Sequence, residues 1–181
     1  MENSMNTKLF FTVLLCTFSL CFLSSCSGSP DEIMPTLNCP FTEMDWNSTT
    51  EDILATEGAD YAAYDSVYGG ICYTYPKEFE GHMGTVKYMF NENDELMCVA
   101  WAYNGTDDEE SLLSLYDIIN NSVIDLYGES GYDGNGVGNY GNVWYLESGD
   151  IVLTTMLTSD NKALQYAYLH PSVSNTAEKE N

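Results

Sequence analysis

The sequence predicts an α+β domain in which an antiparallel sheet is covered on one face by two helices, in the order α-β-β-β-α-β-β-β. Three observations predict it. Two segments carry helical apolar spacing and end at a glycine, three alternating apolar segments follow each, and Asn, Asp and Gly turns separate those segments.

The first helix is read from "WNSTTEDILATEG". Thr49 is placed as N-cap, Asp52 takes the capping-box position three residues on, Ile53 and Leu54 form the apolar pair, and Gly58 is the stop. The strands "GICYTY", "GTVKYMF" and "ELMCVAWAY" follow. The second helix is longer. "TDDEESLLSLYDIINNSVIDLYG" fills its first turn with acids, where the helix dipole favours them, and repeats Leu112, Leu115, Ile119, Val123 and Leu126 before Gly128. "NVWYLE", "DIVLTTML" and "ALQYAYL" complete the sheet.

The two halves read as a degenerate tandem repeat. Leu96, Val99-Ala100-Trp101 and the turn "NENDE" recur 67 positions later as Ala163, Tyr166-Ala167-Tyr168 and "TSDNK", and the two terminal glycines stand 70 apart. The domain is expected over residues 41–170, about the length one core needs. Residues 171–181 hold one aliphatic side chain and read as a disordered tail.

Ahead of the domain the chain carries an address. Residues 9–23 are uncharged and apolar, follow the single basic Lys8, and are too short for a spanning helix of roughly 20 residues. That is a signal-peptide core. Leu23-Ser24-Ser25-Cys26 closes it and resembles the lipobox of bacterial lipoproteins. The resemblance implies cleavage after residue 25, a diacylglyceryl group on Cys26, and a tether over residues 26–40 from a bacterial envelope membrane, either the outer side of the cytoplasmic membrane or the outer membrane.

Charge narrows the partners. Without residues 1–25 the chain keeps 27 acids against 4 lysines, a balance of −23, and it has no arginine. So negative a field, without guanidinium groups to hold phosphate, argues against nucleic acid. It also repels anionic headgroups, which leaves attachment to acyl chains contributing about 0.8 kcal/mol per buried methylene. Three cysteines remain beyond the anchor, Cys39, Cys72 and Cys98, so one bridge is the maximum; Cys72 and Cys98 on neighbouring strands could form it, but small buried hydrophobes are the favoured reading.

Catalytic and cofactor motifs are missing. Neither His82 nor His170 has a Cys or acid at metal-ligand spacing, and no HExxH, GxSxG or CxxC occurs. The glycine-rich stretch 128–142, read as a calcium loop from Asp133, puts Val137 and Trp144 where oxygen ligands are required, so it is expected as a flexible helix-to-strand connection. No cofactor or metal is expected.

Aromatic content stands out, with 14 tyrosines and 3 tryptophans. The last strands of each half alternate Val99, Trp101, Tyr103 and Tyr166, Tyr168 against Ala100, Ala102 and Ala167. The bulky set is either the core beneath the helices or an exposed partner face formed by Trp101, Tyr103, Tyr166 and Tyr168.

Trp46, Thr49, Asp52-Ile53 and Gly58, the hairpin "VKYMFNENDELMCVAWAY" and the second helix ending "LYG" together resemble the small bacterial lipoproteins related to the SmpA/OmlA family, and also the tandem β-lactamase-inhibitor-protein fold. That resemblance implies a non-catalytic module that binds another protein. A lipid-anchored extracytoplasmic binding or scaffold module is therefore the leading expectation. A lipoprotein capturing cations, cationic peptides or sugars is the second, and a cell-envelope hydrolase the third.

The lipobox makes a direct prediction. Mass spectrometry of membrane-fraction protein should find a diacylglyceryl mass on the peptide beginning at Cys26, and Cys26→Ala should move the protein out of that fraction.

Overall fold

The computed structural model describes residues 35–104, 108–136, 139–158 and 161–174. The leader, Cys26, most of the expected tether and residues 175–181 of the expected tail lie outside that range. The described chain begins as an irregular strap whose Leu37, Cys39, Phe41, Met44 and Trp46 side chains are all buried. Leu37 and Cys39, from the stretch expected as tether, are thus packed into the domain. The strap is folded by Asp45, whose carboxylate accepts the backbone N–H groups of Leu37 and Trp46, each at 2.8 Å.

Helix α1, Thr50–Glu57, forms where its capping box places it: Asp52 N–H donates to the Thr49 hydroxyl and Thr49 N–H to the Asp52 carboxylate. Ile53 is its fully buried residue. Strands β1 (Ala62–Asp65), β2 (Gly69–Phe79), β3 (His82–Asn91) and β4 (Leu96–Tyr103) follow. Helix α2, Glu109–Tyr127, is capped by the Asp108 carboxylate, which accepts from Glu110 and Ser111 N–H. Its buried stripe is Leu112, Leu115, Tyr116, Ile119 and Val123, while Leu126, expected in that stripe, is exposed. The stripe drifts around the helix, and Tyr127 packs on the core in its place. Strands β5 (Tyr132–Gly136), β6 (Asn139–Trp144), β7 (Ile151–Leu157) and β8 (Lys162–Leu169) complete the chain before a short 3₁₀ turn at Pro171–Val173.

The α+β order stands, with one short outer strand added to each half, β1 and β5. All eight strands form one antiparallel sheet in the order β1-β2-β3-β4-β8-β7-β6-β5. The glycine-rich stretch supplies most of the β5–β6 hairpin rather than a plain connection. The halves meet at β4 and β8, where Ala100 pairs with Ala167. These residues are 67 positions apart, the offset of the sequence repeat, so each half offers its equivalent strand to the other about a local twofold through that pair. Each half also ties its helix end to its second strand. The Tyr75 hydroxyl donates to Gly58 O at 3.2 Å, and the Trp144 indole donates to Gly128 O at 2.9 Å.

Both helices and the strap share one core with the large strand residues, from Tyr73 on β2 across Tyr88, Trp101, Tyr166 and Leu153 to Trp144 on β6. Phe41 on the strap meets Phe79 from the first half and Tyr166 from the second, with ring centroids 5.6 and 5.5 Å away. A polar chain crosses the first half. Thr42 bonds the Tyr88 hydroxyl at 2.8 Å, Tyr88 donates to Glu57 at 2.6 Å, and Lys77 pairs with the same carboxylate at 3.0 Å. Among the described residues no helix is long and apolar enough to cross a membrane.

The open edge of β2 is blunted. β1 pairs only as far as Thr74. Gly70 accepts from Ser66 across the hairpin, so even-numbered residues of β2 turn their backbone polar groups outward, and the next one without a partner is Pro76, which has no N–H to offer.

Trp101 and Trp144 are the two largest fully buried side chains among the described residues, and Trp101 sits at the centre of the sheet on β4. Its indole donates to Lys77 O at 2.9 Å and lies over Gly84, where an added Cβ would stand 2.5 Å from the ring. Trp101→Ala should cost about 3–5 kcal/mol of folding free energy, and Gly84→Ala should also destabilise by displacing the indole. Urea denaturation of both variants beside wild type checks this.

Candidate functional site

The aromatic residues raised as a partner face lie on the helix-covered side. Trp101, Tyr166 and Tyr168 are 0%, 3% and 5% exposed, and half-buried Tyr103 stacks on Trp101 at 5.9 Å. Tyr166 and Tyr168 satisfy each other's hydroxyls at 2.6 Å, and burial pushes both phenols upward in pKa. Trp101, Tyr166 and Tyr168 are core, Tyr103 packs against it, and the sheet face without helices is the opposite one. The physical reason is the alternation along β4 and β8: the helices pack on the bulky parity and leave the alanine parity outward.

Strand register describes that outer face in three rows. The central row runs across all eight strands as Ala62, Thr74, Lys87, Ala100, Ala167, Val152, Val143 and Tyr132. Beside it run Tyr64, Cys72, Met89, Cys98 and Leu169 on one flank, and Pro76, Thr85, Ala102, Gln165, Thr154 and Gly141 on the other. Ala100 and Ala167 are sunk between Tyr68, Met89, Val152 and Leu169. Tyr64, Met83, Gln165 and Met156 are exposed around them. No helix among the described residues packs on this face.

Cys72 and Cys98 both belong to it, and neither is bridged. Each pairs with Met89 from opposite sides, so they stand two strands apart rather than on neighbours. Two strand spacings, about 9–10 Å, exceed the roughly 7 Å a disulfide spans. Burial pushes the Cys98 thiol up to about 12, with Cys72 raising it further and Lys87 opposing. Burial raises Cys72 as well, while its hydrogen bond to Tyr64 works the other way. Cys39 is buried in the strap and likewise pushed up. All three are thiols packed as small hydrophobes.

The histidines are far from each other in role. His82 Nδ1 contacts Glu80 O at 2.7 Å and its ring meets Tyr103 edge-on at 5.2 Å. His170 borders a cleft of about 260 Å³ with Trp46, Asn47, Ser48, Asp94, Glu95 and Ser172. Its Nδ1 accepts Ser172 N–H at 3.1 Å and contacts the Ser172 hydroxyl at 2.8 Å, which caps the 3₁₀ turn. The hydroxyl thus meets the nitrogen that holds the cap, an arrangement that fixes backbone and does not aim a nucleophile. Among the described residues no group of three His, Cys, Asp or Glu side chains is placed to hold a metal ion.

No family model, curated protein or solved structure matches the chain. Its functional reading therefore rests on the molecule's own geometry, with the two sheet faces as the deciding contrast.

Burial lowers the His170 pKa from 6.5, with Glu95 acting weakly the other way. An unfolded chain then takes up the proton before the folded one does, so this residue's contribution should be present above pH 6.5 and be lost as pH falls from there toward the folded value. Urea midpoints between pH 7.5 and 5 should fall for wild type and fall less for His170→Gln.

Proposed function

We propose that the mature protein is a lipid-anchored, extracytoplasmic, non-catalytic binding module, and that its uncovered sheet face docks a protein partner. One observation carries this reading. A chain of net charge −23 keeps a face eight strands wide on which the central row holds a single charged side chain, Lys87. Depletion of charge at the centre of a patch, with Met and Tyr around it, is how interface cores differ from ordinary surface. Sunken alanines make the middle shallow, and exposed Tyr64, Met83 and Met156 supply apolar contact at its margins. The resemblance to lipoproteins and inhibitor folds that bind other proteins points the same way. So does Cys26, whose acylation would hold the module at a membrane while its domain faces out of the cytoplasm.

Co-purification from the organism's own cells tests the reading. The anchored protein is extracted in detergent as wild type, as Gln165→Arg and Thr154→Arg on the sheet face, and as Ser122→Arg on the outer side of α2. A partner retained by wild type and Ser122→Arg but lost from the two sheet-face variants is the expected result. Retention by the sheet-face variants with unchanged melting temperatures would overturn it.

A further inference from the structure

On that docking reading, we infer that the partner brings a carboxylate to Lys87 on a protruding loop flanked by lysine or arginine. Lys87 occupies the middle of the central row, opposite Thr74 on β2 and Ala100 on β4. Among the described residues no carboxylate lies within ion-pair distance of it. The ion pair they do contain belongs to Lys77, on the helix-covered side.

Covering this face removes water from Lys87, and an ammonium taken out of water without a counter-charge is costly. A lysine near a margin escapes by reaching past the edge of the interface. Lys87 has no such exit. The nearest open edge, β2 at Pro76, lies on the diagonal about 7–8 Å away, and four residues of strand, roughly 13 Å, separate Lys87 from the end of β3 at Asn91. Both exceed the reach of a four-carbon stem. The partner must supply the opposite charge at that point, and in a protein that group is a carboxylate.

The surroundings shape the rest of the contact. Ala100, Ala102 and Ala167 lower the centre between the Met89 and Val152 flanks, which suits a narrow element that descends into the face rather than a second flat sheet. Acids return at the margins of the sheet, with exposed Asp60 beside Ala62, Thr74, Pro76 and Thr85 at the β2 edge, Glu78 and Glu80 at the β2–β3 turn, and Asp65, Glu92 and Glu95 at the other end. A partner carrying one carboxylate at its tip and basic side chains behind it matches this order of cation, apolar ring and acidic margins. It also turns away acidic surfaces, because the chain's overall field repels them before Lys87 is reached.

The test places a benzophenone photo-crosslinking amino acid at exposed Tyr64, an aromatic position at the margin of the face, in the full lipid-anchored protein, in its own cells, with residue 87 as Lys, Arg, Met or Glu. Mass spectrometry of the cross-linked peptide should show an Asp or Glu with basic residues near it in sequence. Yield should persist with Lys87→Arg and fall at least about tenfold with Lys87→Glu, with Lys87→Met also reduced. Exchanging the contacted acid for lysine should restore yield to Lys87→Glu. Melting temperatures near wild type confirm that each variant folds. A contacted peptide lacking an acid, or equal yield from Lys87→Glu, overturns this inference while leaving the docking face standing. Absence of any cross-link at Tyr64 overturns the docking face itself.

Discussion

The pairing of Ala100 with Ala167 at the β4–β8 seam is the constraint on which the rest depends. It joins two four-strand halves into one sheet, and it fixes the parity of both central strands together. With the alanines outward, Val99, Trp101, Tyr166 and Tyr168 fall beneath the helices in register, and both halves present their bulky residues to a single core. A slip of one residue in either strand would put tryptophan and tyrosine into solvent and alanine under α2. The seam therefore decides where the core is, and by exclusion which sheet face no helix covers.

Much of the fold was legible in the sequence because its signals are local. Thr49 with Asp52, the acids opening α2, and the stops at Gly58 and Gly128 are capping chemistry set by residues a few positions apart. The repeat was legible for a different reason: the Val99-Ala100-Trp101 pattern has to recur when two equivalent strands pair about a twofold. The outer strands β1 and β5 were not visible. "AAYD" is short and all four of its residues are exposed, and "YDGNG" carries too little apolar side chain to alternate.

The site was less legible than the fold. Alternation along β4 showed two unlike faces, but the sequence holds no information on which one the helices choose until the helices' own partners are known. Tyr68, Met89 and Val152 gave no motif, since their common surface exists only through register between strands distant in sequence. The strap was missed for a related reason. Its buried residues, Leu37, Cys39, Phe41, Met44 and Trp46, follow neither a period of two nor one of 3.6, and Pro35 and Pro40 made the stretch up to residue 40, with Leu37 and Cys39, look like tether.

That strap also bears on when the domain can form. Phe41 needs Tyr166 and Tyr168, and the Trp46 indole donates to Ser148 O at 2.9 Å, so the first described segment is held by some of the last. A chain delivered N-terminus first lacks part of the surface on which these residues lie until β8 arrives. The seam imposes the same delay, since β4 stays an open edge until then. Long-range closure of this kind makes folding slow relative to the emergence of the early elements. Completion of the core therefore waits for almost the whole of the described chain, and an early N-terminal fragment holds its apolar strap only in part.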